Sequence, residues 1–379
     1  MDAGATSAAP LSDGERERLF ATFEALCRIA SPTGSEREVA DWIIAELSGF
    51  GLVVAEDGAG AAVGADAGNL LVRIPGASDR WLLLCAHMDT VPLVSPVEPV
   101  FAGDGFQNAS PGILGADNKA AVAALVEVAR HYGGEVPPVG IELLFTIAEE
   151  TGLHGAKAFD MRQLHSAFGY VFDHATPLGE VIVASPTYMR ITADIHGRAA
   201  HAGLHPEQGV NAIVAAAQAI VAMPQGRLDP ETTANVGLIS GGTATNVVAD
   251  RCRIESEVRG IDQARVDQVV TETVDALQDA ADGAGCDLDI GLAKMFAGYR
   301  VRSGEPSLEL GERALAAIGY PPRQISSGGG SDANAFRANG VEVTNLANGT
   351  ERAHERTERV SATALADGLR LARAIVQLA

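Results

Sequence analysis

Along the first half of this chain, unbroken apolar runs alternate with stretches in which apolar residues recur every third or fourth position. Asn69–Ile74, Trp81–Ala86 and Gly140–Ala148 are runs of the first kind, with a shorter one at Leu52–Ala55. They predict strands buried on both faces. Ser12-Asp13-Gly14-Glu15 reads as a capping box, and Leu19, Phe20, Phe23, Leu26, Cys27 and Ala30 follow at helical spacing until Ser31-Pro32 stops the helix. A second box, Ser35 to Glu38, predicts a helix through Leu47 that Gly49 and Gly51 close. Residues 117–132 form an Ala/Val-rich helix ending at Gly133-Gly134, and the Ala/Gly-rich stretch 58–68 reads as a loop. Alternation of fully apolar strands with helices predicts an α/β fold with a mostly parallel sheet between helices.

The pattern changes near Ser185. Tyr188–His196 alternates as a half-buried strand, and Glu207–Met223 has amphipathic helical spacing. Ala234–Ser240 and Arg251–Arg259 read as strands, Asp262–Ala281 as a helix and Cys286–Leu292 as a final strand. That β-α-β-β-α-β order predicts a ferredoxin-like α+β sandwich with its own core. Past Tyr299 the first pattern returns, with helices Ser307–Ile318 and Ala362–Leu378, a loop at Ser326–Ser331, a helix to Asn339 and strand Val341–Leu346. The expected organisation is a catalytic domain in two parts, 1–185 and 297–379, interrupted by an inserted domain at 186–296.

A length of 379 residues suits two domains, and 47% hydrophobic with 20% charged residues is ordinary for a globular protein. The formal net charge of −21 argues against nucleic acid or an anionic membrane as partner. Cys27, Cys85, Cys252 and Cys286 are scattered without CxxC spacing, so they read as small buried hydrophobes. Met1–Pro10 lacks the basic start and apolar core of a signal peptide. No apolar window reaches the roughly 18 residues of a membrane span. A cytoplasmic location is the expectation.

Charge changes the picture where the apolar runs end. Trp81–Ala86 runs into His87-Met88-Asp89, Ile141–Ala148 into Glu149-Glu150, and Phe168–Phe172 into Asp173, while Asp117 opens a helix and His354 lies in a polar loop. In open α/β sheets, ligands bind beyond the carboxyl ends of the strands. Singly, each residue has a plainer explanation: a satisfied polar histidine, an N-cap, a solvated turn. Together they deliver imidazole and carboxylate to one sheet edge without a thiolate, a donor set suited to divalent metal ions. Asp89, two residues past His87, is placed to accept its second ring N–H and fix the tautomer. Adjacent Glu149 and Glu150 divide naturally into one ligand and one group that handles a water.

The blocks Ala86-His87-Met88-Asp89-Thr90-Val91-Pro92, Gly115-Ala116-Asp117-Asn118-Lys119 and Ala148 to Ala156 resemble the dinuclear-zinc metallopeptidases related to peptidase T, carboxypeptidase G and aminoacylase. The resemblance continues through His201-Ala202-Gly203, Pro206-Glu207, Gly209, Asn211-Ala212-Ile213, Asn246-Val247-Val248 and His354, and Ser327 to Asn334 looks most like the peptidase T branch. It implies a zinc-peptidase-type catalytic domain with an inserted lid and dimerisation domain, and two divalent ions per chain, Zn²⁺ first with Co²⁺ or Mn²⁺ as alternatives. His87, Asp117 and Asp173 would hold one ion and Asp117, Glu150 and His354 the other, with Asp117 bridging. Glu149 would be the general base for a metal-bridging water and Asp89 the orienter of His87. His201 would polarise the scissile carbonyl, in its own chain or across a homodimer. Asn246 and Arg259 would contact substrate, Arg259 as a carboxylate clamp. Gly328–Ser331, with Gly329 and Ser331 foremost, would line the pocket with backbone N–H groups.

No Gly-Lys-Ser/Thr follows Gly328–Gly330, which excludes a Walker phosphate loop, and no GxGxxG follows the first strand. His131, His165, His196 and His205 read as surface or packing residues. The expected reaction is hydrolysis of short peptides by an aminopeptidase or tripeptidase. An N-acyl amino-acid hydrolase or carboxypeptidase of the same family, and an inactive peptide-binding homologue, stay open beside it.

Overall fold

The computed structural model describes residues 9–379; most of Met1–Pro10, read above as free of a leader, lies outside that range. The chain forms two compact units. One runs to Val183 and takes in Val301–Ser326 and Ser331–Ala379; the other is Ala184–Arg300 with Ser327–Gly330. Among the described residues no helix is long and apolar enough to cross a membrane.

The first unit is built on a nine-stranded sheet, seven of whose strands lie in the order Val54–Glu56, Leu70–Ile74, Gly140–Thr146, Trp81–His87, Phe168–His174, Glu342–Ala347 and Glu180–Ser185. The four strands from Gly140–Thr146 to Glu342–Ala347 are mutually parallel, and the flanking pairs are antiparallel. Helices Asp13–Arg28, Arg37–Gly49, Ala116–Tyr132, Pro306–Ala317 and Ala362–Leu378 share one apolar core with this sheet. The parallel strands are buried throughout their apolar runs, which is why they carry no alternation.

The first helix has the expected capping box, with Ser12 Oγ accepting the Glu15 N–H and Glu15 reaching back to the Ser12 N–H at 2.9 Å. The second helix departs from expectation. It starts at Arg37 with no side-chain cap, because Glu36 turns its buried carboxylate inward to accept the N–H groups of Gly34 and Ala148. The stretch 58–68 is not wholly a loop either. Asp57 accepts the Ala59 N–H at 2.9 Å and starts the short helix Ala59–Val63.

Several strands escaped the hydrophobic pattern. Glu180–Ser185 is a strand, and Pro99–Ala102, Gly105–Asn108, Arg359–Ser361 and Thr350–Glu351 make a separate four-stranded antiparallel sheet. These strands are short, and the two strand pairs of the small sheet lie far apart in sequence, so periodicity has little to register. The small sheet fastens both sides of the loop that carries His354.

The second unit is a five-stranded antiparallel sheet in the order Gly226–Asp229, Thr232–Gly241, Arg251–Gly260, Thr187–His196, Asp287–Phe296. Helices Ala212–Ala222 and Gln263–Ala284 pack on it around a separate apolar core. Without its edge strand Gly226–Asp229, this is the predicted β-α-β-β-α-β sandwich. Its first helix starts later than predicted because Pro206–Gln208 forms a 3-10 turn and Asn211 then caps Ile213 and Val214. Ser327–Gly330 joins this unit through the Ser327 N–H, which donates to Ala184 C=O at 2.8 Å, and the Ser185 hydroxyl, which donates to Gly329 C=O at 2.9 Å.

Candidate metal centre and active site

Parallel pairing sets three strand ends side by side. His87 is level with Thr146 across one ladder, and Cys85 with Val171 across the other, so His87, Glu149 and Asp173 emerge at one edge. Beyond Thr146 the chain turns sharply, with Ala148 in the left-handed region at φ 49° and the Glu149 carbonyl accepting the N–H groups of Gly152 and Leu153. A Cβ at Gly155 would collide with the Ile147 carbonyl, so this turn closes only over glycine. Asp117 lies at the start of helix Ala116–Tyr132 with φ −83° and ψ 103°, outside helical values, and its peptide bond to Asn118 is cis. His354 is also left-handed, at φ 66°. Left-handed residues other than glycine cost about 1–2 kcal/mol each, and two of them here hold site side chains in place.

The side chains converge around Asp117. His87 Nε2 is 3.4 Å from Asp117 Oδ1 and 3.5 Å from Asp173 Oδ1. His354 Nε2 is 3.4 Å from Asp117 Oδ2 and 3.0 Å from Glu150 Oε2. Ligand atoms of His87, Asp117 and Asp173, of Asp117, Glu150 and His354, and of His87, Glu149 and Glu150 lie close enough in each trio to share an ion. Asp89 meets His87 through its main chain more closely than through its carboxylate. His87 Nδ1 lies 3.0 Å from the Asp89 carbonyl oxygen and 3.5 Å from its carboxylate. The carboxylate also accepts the N–H groups of Glu149 at 2.9 Å and Glu150 at 3.2 Å and the Thr33 hydroxyl at 2.7 Å.

Electrostatics reflect this crowding. Burial, then the nearby Asp173 charge, pushes the Glu149 pKa well above the usual carboxylate range, and burial raises Glu150 and Asp173 as well. Burial opposes a protonated His87, but Asp173, Asp117 and Asp89 outweigh it and raise its pKa. Asp117 and then Glu150 push His354 up to about 10. Asp117 Oδ1 is buried and accepts no hydrogen bond. A buried acceptor left bare, inside a cluster of carboxylates whose ionisation opposes one another, is a place where divalent cations fit. The donors are hard or borderline oxygen and imidazole nitrogen, as such ions require.

The remaining predicted residues have their own settings. His201 is exposed in the second unit, bridged to Val247, with Nδ1 accepting the Gly203 N–H at 3.2 Å. Exposed Asn246 accepts the Ala202 N–H at its carbonyl. Arg259 already grips Glu257 with Nε and Nη2, at 3.1 and 3.2 Å, and lies 4.3 Å above the Tyr188 ring. The N–H groups of Gly329 and Ser331 donate to Ser327 Oγ and Asn334 Oδ1, so neither is open to an anion in this conformation. His131, His196 and His205 pair with Glu135, Asp289 and Glu207, and His165 packs edge-on to Trp81. All four cysteines are buried and free.

Several site supports were missed. Asn345 clamps the Asp173 backbone, accepting its N–H and donating to its carbonyl where the ladder shifts register. Buried Asp332 accepts the Thr146 hydroxyl at 2.5 Å, and burial raises its pKa to about 7. Glu36 and Thr33 brace the Glu149 turn and Asp89. The polar run Ser31–Glu36 after a helix stop was the visible signal for those two; nothing in local spacing marks Asn345.

Two family descriptions match the chain: Peptidase dimerisation domain, from the M20 group, over residues 184–284, and Peptidase family M28 over residues 69–177. The protein YqjE of Bacillus subtilis (strain 168) is 36% identical over 363 residues, 95% of this chain and 98% of the relative. The crystal structure of aminopeptidase PepT from Bacillus cereus ATCC 10987 superposes with a TM-score of 0.86 at 36% identity, covering 96% of this chain and 98% of that one. A tripeptidase from Staphylococcus aureus subsp. aureus Mu50 gives a TM-score of 0.90 at 33% identity, covering 96% and 98%. Identity at this level along nearly the whole length, together with the acidic and histidine cluster at the strand ends, shows that the chain belongs to the M20 metallopeptidases, in their peptidase T-like branch.

Proposed function

We propose that this protein is a metal-dependent aminopeptidase that cleaves tripeptides and other short peptides. The observation that carries the reading is Asp117, whose two oxygens face His87 and His354 at 3.4 Å each, with Asp173 and Glu150 completing the two sides. Bound by His87, Asp117 and Asp173 and by Asp117, Glu150 and His354, two divalent ions, zinc foremost, would supply Lewis acidity toward an amide carbonyl and a water. Glu149 takes the proton of the attacking water and returns it to the leaving nitrogen. His201 donates to the carbonyl oxygen. Its Nδ1 accepts the Gly203 N–H, which leaves the ring proton on Nε2. Asn246 and Arg259 contact the substrate, Arg259 only after exchanging Glu257 for a substrate carboxylate. The segment 186–296 serves as lid and homodimer contact, and the protein works in the cytoplasm.

The test is a panel of di- and tripeptides with free or acetylated amino termini, beside N-acyl amino acids, after chelation and after return of Zn²⁺, Co²⁺ or Mn²⁺. Tripeptides with a free amino terminus should be preferred, and only after an ion is returned. Preference for N-acyl amino acids or for C-terminal cleavage would move the protein to the neighbouring activities. Peptide binding without turnover under every ion would make it a binding homologue.

A further inference from the structure

Glu358 lies four residues beyond His354, and only 2% of it is exposed. One carboxylate oxygen accepts the N–H groups of Leu114 and Gly115, both at 2.8 Å, and the other accepts the Asp117 N–H at 2.9 Å. These donors sit at the start of helix Ala116–Tyr132, where backbone N–H groups lack intrahelical partners and the dipole favours an anion. Gly115, at φ 76°, permits the turn that points them inward. The chain thus fills its own anion-binding turn with a side chain from more than 240 residues away.

Both ends of that link carry a site residue. Asp117 is one of the residues held, and His354 belongs to the same loop as Glu358, whose own N–H donates to the Glu355 carbonyl at 3.0 Å. The following residues, Arg359–Ser361, are tied into the small sheet. His354 itself is half exposed, and apart from Asp117 its contact is with Glu150. Without the Glu358 link, the separation of His354 Nε2 and Asp117 Oδ2 would be set only by the loop between the strands Thr350–Glu351 and Arg359–Ser361 and by the Glu150 contact.

We propose that Glu358 is a positioning residue that sets the distance between Asp117 and His354, and so the affinity of the site they share for a divalent ion. The inference rests on the reading of both residues as ligands. Glutamine at this position keeps the shape but turns an NH₂ toward a backbone N–H, which breaks part of the clamp. Aspartate keeps the charge but is one methylene short.

The test is ion binding by chelated wild type, Glu358→Gln and Glu358→Asp, titrated with Zn²⁺ in competition with a chromophoric chelator. Glu127→Gln is the control: Glu127 is equally buried on the same helix, bonded to Thr22 and Arg130. Wild type and control should bind two ions. Both Glu358 variants should bind one ion roughly 10–100-fold more weakly, the usual effect of losing a group that orients ligands, and excess Zn²⁺ should restore kcat with KM little changed. Wild-type affinity for both ions in a folded Glu358 variant would overturn the inference, leaving Glu358 a structural tie. So would failure of both variants to fold while the control folds. Absence of ion binding by wild type would overturn the metal reading itself and this inference with it.

Discussion

The carboxylate of Asp89 accepts the backbone N–H of Glu149 at 2.9 Å and lies 3.5 Å from His87 Nδ1, which is 3.0 Å from the Asp89 carbonyl oxygen, so one residue touches both the His87 ring and the Glu149 turn. Asp89→Asn should therefore disturb two functions at once. Zn²⁺ affinity and kcat are each expected to fall roughly 10–100-fold. Thr33→Val, which removes only the hydroxyl bonded to Asp89, should do much less. Equal losses in the two variants, measured by ion competition and steady-state kinetics, would contradict the double role.

The proposed role of Glu149 separates proton transfer from ion binding. Glu149→Ala should bind two divalent ions and keep its thermal midpoint, yet lose roughly 10²–10⁴-fold in kcat, the usual share of a general acid–base. Metal analysis and turnover on one tripeptide check both halves, and near-wild-type turnover removes Glu149 from the role.

His201 is exposed, so removing it leaves no cavity. His201→Ala should retain ion content and thermal midpoint while kcat drops on the order of 100–1,000-fold, as for loss of an oxyanion donor. A stability loss with an unchanged rate would instead assign it to its turn with Gly203. If the histidine acts across a dimer, mixing inactive Glu149→Ala with inactive His201→Ala should restore part of the activity. Verified subunit exchange without recovery would place the histidine in its own chain.

Acid should loosen the first and last helices. Hydrogen bonds from Ser12, then Arg373, lower the Glu15 pKa to about 2 from 4.5. The folded pKa lies below the unfolded one, so the stabilisation is complete above about 4.5 and fades as pH falls toward 2. Glu15→Gln should thus lower the thermal midpoint most at pH 6, with the gap to wild type narrowing by pH 3. A gap that is constant with pH would mean that the carboxylate charge is not what joins Arg373.

The parallel strands could be read along the chain, because strands buried on both faces must be apolar from end to end, and a charge at the end of such a run needs a use. That is how His87, Glu149, Glu150 and Asp173 could be placed at one edge, and why the helix Ala362–Leu378 was found at its observed ends. His354 had no such mark; its assignment came from resemblance to a family. Which backbone groups the buried carboxylates serve depends on how distant segments pack. Glu36, within the Ser35–Glu38 stretch read as a capping box, braces Ala148, and Glu358, which no sequence pattern marks, holds the Asp117 turn. Arg259 and the N–H groups of Gly329 and Ser331 looked available to a ligand and are engaged within the chain. Periodicity records which face of an element is buried, whereas a hydrogen bond between residues hundreds of positions apart depends on how those elements are packed.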